Sequence, residues 1–104
     1  MNRKEHLLTL LAEECIEIAK ETSKALRFGV DDRYPIDSDE NNAESIVKEF
    51  YDLNAVMDLL YEEEPLIKAA FTKYNLSEAV KAKQEKIEKY LLYSKEKGLL
   101  NEEN

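Results

Sequence analysis

From residue 5 to about residue 27, apolar positions recur at steps of three and four: Leu8, Leu11, Cys15, Ile18, Thr22 and Ala25. That is the helical period, and it predicts a first helix with this set as its inner stripe. Phe28-Gly29 ends it, Gly29 suiting the left-handed position past a helix C-terminus. Residues 30 to 41 break the period. Their Asp, Asn and Ser residues and Pro35 predict a polar loop, and a loop of this length in a small domain is often functional. A second helix is predicted from near Asn42 to about Tyr61, capped by Asn41 or Asn42. Its stripe is Ile46, Phe50, Leu53, Met57 and Leu60. A third covers about 64 to 73, with Pro65 in its first turn, where no N–H is needed. Ser77 suits the N-cap of a fourth helix from 78 to about 96, with Val80, Ile87, Tyr90 and Leu91 facing inward and Gly98 ending it. Residues 97–104 read as a frayed tail. No alternating stretch predicts a strand, so the fold class is all-α: four helices in one domain, 1–104.

Composition narrows the function classes. The chain has 104 residues, with 23 Asp and Glu against 15 Lys and Arg, a formal charge of -8. That excess of acid argues against a nucleic-acid polymer as partner, because phosphate contacts need Lys and Arg. The apolar runs are too short for a membrane span. The N-terminus leads into an amphipathic stretch rather than a signal-peptide core, so the expected location is cytoplasmic and off the membrane. The single Cys excludes an intrachain disulfide framework and a Cys-based zinc cage. A core of this size is small. Leu7, Leu10 and Leu59, off the main stripes, are candidates for contact with a partner subunit.

The decisive question is where the carboxylates point. On the first helix Glu13, Glu14, Glu17 and Glu21 fill an arc beside the apolar stripe, at spacings where like charges repel. A solvated acidic face accounts for them about as well as chemistry does. On the second helix Glu49 and Asp52 fall within the apolar surface. Burying an unpaired carboxylate costs several kcal/mol, so both need cations. Lys or Arg partners would serve. So would a divalent ion shared with the acids of the first helix: oxygen-only ligand sets suit Mg²⁺ or Mn²⁺ rather than zinc. His6 reads as a surface residue.

Glu13-Glu14-x-x-Glu17 followed by Glu49-x-x-Asp52 resembles the signature of the all-α nucleoside triphosphate pyrophosphohydrolases, the MazG-like group. Ser23-Lys24-Ala25-Leu26-Arg27-Phe28-Gly29, then Asn42, Ile46 and Glu49-Phe50-x-Asp52-Leu53-x-Ala55-Val56-Met57, resembles the compact phage-encoded members. So does Lys86-x-x-Lys89-Tyr90-Leu91-x-Tyr93-Ser94. The resemblance covers nearly the whole chain. It departs in its spacer, the 31 residues between Glu17 and Glu49 being more than the family usually has.

The resemblance implies a four-helix-type bundle assembled as a homodimer or homotetramer. It implies hydrolysis of a nucleoside triphosphate between the α and β phosphates, giving a monophosphate and diphosphate with Mg²⁺ as cofactor and Mn²⁺ as substitute. It assigns Glu14, Glu17, Glu49 and Asp52 as metal ligands, and Glu13 as a further ligand or the acceptor of the water's proton. With Glu13, Glu14 stands in the catalytic pair. Lys24, Arg27, Lys83, Lys86 and Tyr90 become candidates for the substrate. Against these stand plain accounts: Lys24 paired with Glu21 on its own helix, and Lys83 snorkelling from an apolar face. Tyr34, Phe50, Tyr51 and Tyr90 could stack on a base; core packing is the better account of Phe50, while Tyr34, in the loop, is freer. Asn41 and Asn42 could read a base edge or cap the helix. The family leans towards dGTP and GTP. The competing class is a non-enzymatic acidic helical module that binds a basic partner.

Overall fold

A computed structural model describes residues 1–101. Four helices follow one another: α1 (Arg3–Phe28), α2 (Asn42–Glu63), α3 (Pro65–Lys73) and α4 (Leu76–Glu96). Among the described residues there is no strand, so the chain is all-α. None of these helices is long and apolar enough to cross a membrane. The chain divides into two compact units, one of Met1–Lys68 and one beginning at Ala69, with α3 running across the boundary.

Local chemistry sets the helix ends. The side chain of Asn2 accepts a hydrogen bond from the Glu5 N–H at 2.8 Å, and Glu5 reaches back to the Asn2 N–H, a capping box. Asn41 and Glu44 repeat the device at α2. At α4 the cap is Asn75, which accepts from Glu78 N–H at 2.9 Å; Ser77, expected there, lies inside the first turn. Gly29 takes φ 101° and ψ 151°. The positive φ is as expected, but this ψ lies outside the left-handed helical region, so the chain leaves α1 extended. Of the expected tail, 102–104 lie outside the described residues. Gly98, with φ 75°, turns the chain after α4.

In the first unit α1 and α2 pack against each other. Leu7, Val56 and Leu60 form the buried core, flanked by Leu10, Leu11 and Ile67. This corrects two expectations. Leu7 and Leu10 are spent inside the chain rather than left for a partner. The inner face of α1 is also rotated from the expected stripe: it runs Leu7, Leu10/Leu11, Glu14, Glu17/Ile18, Glu21, Lys24/Ala25, while Leu8, Cys15 and Thr22 are exposed. On α2 the inner face runs Asn42, Ile46, Glu49, Leu53, Val56, Leu60. Phe50, assigned to the core, is 51% exposed, its ring centroid 6.5 Å from that of Tyr51. Arg3 closes the open end of the pair with a two-pronged bridge to Glu63, one prong at 2.8 Å.

In the second unit no described residue of α4 is buried, and Val80, Ile87, Tyr90 and Leu91, expected to face inward, are exposed. A cavity of about 280 Å³ lies where Ala70, Phe71 and Tyr74 meet Leu76 and Ala79.

The loop between α1 and α2 is pinned from both sides. Asn42, 5% exposed, donates its side-chain amide to Gly29 O at 2.9 Å. Asn42 N–H reaches Asp32 O at 3.0 Å and Ala43 N–H reaches Val30 O at 2.9 Å. Arg33 donates to Asp39 O at 2.7 Å. The Asn42 amide is therefore structural, and Asn41 is the cap. Asn42→Ala removes this buried bond and leaves Gly29 O only the longer one from Asp32 N–H at 3.3 Å, so urea denaturation should show a loss of about 0.5–1.5 kcal/mol.

Candidate metal centre

The α1–α2 seam carries carboxylates where a packed pair normally carries apolar side chains. Glu14 and Glu17 sit one turn apart on the inner face of α1. Glu49 and Asp52 sit one turn apart on α2. Glu14, Glu49 and Asp52 each offer one carboxylate oxygen, and these oxygens all lie within 4.8 Å of one another. Glu14 and Glu49 are half-buried. Asp52, expected within an apolar surface, is exposed.

Their electrostatics are those of carboxylates crowded together. Burial pushes the Glu49 carboxyl above its ordinary range, and the charges of Asp52, Glu14 and Glu17, with a hydrogen bond to Asp52, push it the same way. Glu14 Oε2 is buried and has no hydrogen-bond partner among the described residues. Among the described residues no Lys or Arg forms an ion pair with Glu14, Glu49 or Asp52. Lys48 feels the charges of Asp52 and Glu49, but its ammonium is bonded to Glu40 Oε1 at 2.8 Å, which raises its own pKa. The donor set therefore fits a hard divalent cation: carboxylate oxygens, close together, with one buried oxygen unused.

The remaining assigned residues are distributed unevenly. Glu17 is half-buried on the same face and near enough to raise Glu49, but stands outside the converging trio. Glu13 is exposed and also outside it. The ammonium of Lys24 lies 3.1 Å from Glu21 Oε2, the same-helix pair weighed above. That pair meets the distance for an ion pair without a hydrogen bond to this oxygen; it offsets the charge of the buried Glu21. Arg27 is exposed, its guanidinium carbon 5.1 Å from the Phe28 ring centroid. Lys83, Lys86 and Tyr90 are exposed on α4, in the other unit.

Sequence reasoning gave no role to Glu40 or Lys48. Glu40 joins Lys48 and Ser45 (Oγ to Oε2, 3.1 Å), which hold its carboxyl below the ordinary range. No spacing motif marks such a loop acid; only its closeness to Lys48, about two turns into α2, hints at the pair.

Comparison with protein-family models, curated proteins and solved structures finds no match.

Proposed function

We propose that this protein is a divalent-metal-dependent nucleoside triphosphate pyrophosphohydrolase of the MazG-like kind, converting a triphosphate and water to the monophosphate and diphosphate. One observation carries the reading: the Glu14, Glu49 and Asp52 carboxylate oxygens converge within 4.8 Å with the buried Glu14 Oε2 unpartnered. Like charges so placed are costly unless a cation joins them. The motif resemblance says which cation and which reaction.

Glu14, Glu49 and Asp52 would hold Mg²⁺ or Mn²⁺, with Glu17 on the same face extending the ligand set. When bound, such an ion neutralises phosphate charge and makes a coordinated water more acidic. Glu13, exposed at the edge of that face, is the proposed acceptor of the water's proton. Lys24 keeps donors beyond the one aimed at Glu21 and, with Arg27, supplies positive charge for phosphate oxygens. Lys83, Lys86 and Tyr90 keep the candidacy for substrate that the motif resemblance gives them, in this chain's site or a neighbouring subunit's. The exposed apolar residues of α4, with Leu8 and Leu59, support assembly as a homodimer or homotetramer. A light-scattering mass of one chain would contradict that.

The test is a panel of ribo- and deoxyribonucleoside triphosphates with Mg²⁺ or Mn²⁺, resolving diphosphate from phosphate. Metal-dependent release of diphosphate and monophosphate in equal amounts is expected. Release of single phosphates, or none, overturns the reaction type.

Glu49 also makes a pH prediction for the metal-free protein. Its raised folded pKa means that folding favours the protonated form. The resulting penalty is absent below the ordinary glutamate value, grows as pH rises, and is complete above the raised value. In a chelator, Glu49→Gln should therefore melt higher than the parent chain at neutral pH, and the difference should vanish at acid pH. A constant difference across pH would show that the carboxyl carries no such penalty.

A further inference from the structure

Glu21 is the one acid on the inner face of α1 to which the proposed metal centre gives no part. It is 8% exposed, more deeply buried than Glu14 or Glu17, and it stands outside the trio whose oxygens converge. We propose that Glu21 is a positioning residue, its carboxylate holding the Lys24 ammonium on the seam side of α1, where it meets phosphate oxygens. The assignment rests on the phosphate role given to Lys24 above and says what makes that role possible.

A carboxylate in this place needs a reason. Burying it is costly, and a same-helix ion pair returns only a small part of that cost. Gln would fill the same space with no charge to bury, so packing alone does not account for Glu21. What the charge does is act on Lys24. The ammonium lies 3.1 Å from Glu21 Oε2, yet that oxygen accepts no hydrogen bond. The ammonium is therefore held by charge, and at least two of its three N–H donors stay available to a ligand.

Lys24 is pulled by two acids. A lysine on a helix leans over the turn N-terminal to it, which here carries Glu21. The loop acid Glu40 pulls as well, its carboxyl feeling the charge of Lys24. Glu40 is already bonded to Lys48 at 2.8 Å and to Ser45 at 3.1 Å, so its hold on Lys24 is the weaker. Glu21 tips the balance towards the seam; without its charge the ammonium turns to Glu40 and solvent. No other cation of α1 is set on this face: Arg3 and Lys4 pair with Glu63 and Glu64, and Lys20 and Arg27 are exposed. Lys24, half-buried, lies two turns from Glu17, about 10 Å, a distance that a metal-bound triphosphate chain can bridge.

The test is a double-mutant cycle, read by calorimetric titration of inorganic tripolyphosphate with Mn²⁺ into the full chain: parent, Glu21→Gln, Lys24→Met and both together. KM and kcat are followed for the best-hydrolysed triphosphate with Mg²⁺. Lys24→Met should weaken tripolyphosphate binding about 10- to 100-fold, the range of a hydrogen bond to a charged group. Glu21→Gln should weaken it about 3- to 10-fold, as expected for residues in contact, raise KM by a similar factor and leave kcat nearly unchanged. In the Lys24→Met background Glu21→Gln should change affinity by less than about twofold, because no ammonium is left to hold. In a chelator Glu21→Gln should melt no lower than the parent, a buried charge having been removed. A lower melt with losses that add, or a Glu21→Gln that binds as well as the parent or better, overturns the positioning role. So does a parent that binds no tripolyphosphate. A coupled loss with no diphosphate released from any triphosphate keeps the positioning role and overturns the hydrolase reading. Should Glu21→Gln fail to fold, Glu21→Asp, which keeps the charge and draws it back, takes its place in the cycle: a smaller coupled loss is expected, and an additive one overturns the role.

Discussion

Glu49→Gln is expected to lower metal-dependent diphosphate release by more than about a hundredfold in kcat/KM. Residues one shell out from a metal typically cost 10- to 100-fold when removed, and Glu49 is proposed as a direct ligand. It stands at the centre of the acid group: Asp52, Glu14 and Glu17 all act on its carboxyl. The substitution is nearly isosteric, and it removes a charge that burial opposes. Far-ultraviolet circular dichroism should therefore be unchanged, and the metal-free variant should be at least as stable as the parent. This pairing of lost activity with retained or increased stability separates a metal ligand from a structural carboxylate. A carboxylate held for structure by a cationic partner would lose stability on becoming Gln. A variant with full activity would remove Glu49 from the site.

The second large effect lies in the core. Leu60 is fully buried, at 0% exposure, and packs with Leu7 and Val56 where α1 and α2 meet. Leu60→Ala should cost about 2–5 kcal/mol in chemical denaturation. Few buried side chains are present to share that loss, so melting should fall steeply. The same substitution should also weaken metal binding, because Val56 and Leu60 fix α2 to α1, and Glu49 and Asp52 are positioned by that contact. Unchanged stability would mean that the α1–α2 seam is not what holds the acids together.

The helices themselves were legible in the sequence because Gly and Pro are so scarce that the few present mark the boundaries. Gly29, Pro35, Pro65 and Gly98 each fall at or beyond an end, and Asn41 caps α2 as its position suggests. Asn75 was passed over for Ser77, two residues later: both are good caps, and apolar periodicity alone does not choose between them. The rotation of α1 has a more instructive cause. An apolar wheel looks for the most hydrophobic arc, and on α1 the arc facing α2 holds Glu14, Glu17 and Glu21. Leu8, Cys15 and Thr22 were therefore drawn into the stripe, while Leu7 and Leu10, which do pack, were set aside. The polarity of a candidate site hid the face that carries it.

Phe50 shows the reverse error, an apolar residue placed inside because it is apolar, though surfaces carry many such residues. The acids of the trio were legible as a spaced motif. The use of Asn42 on Gly29 and the pairing of Glu40 with Lys48 depend on how the loop folds back on α2, which no local pattern encodes.

The central claim is that the carboxylates at the α1–α2 seam hold a divalent cation. Calorimetric titration of Mn²⁺ into the metal-free protein and into Glu14→Gln tests it most directly, without reference to any nucleotide. Saturable binding by the parent that is lost in the variant is predicted. Equal, unsaturable binding by both would contradict it.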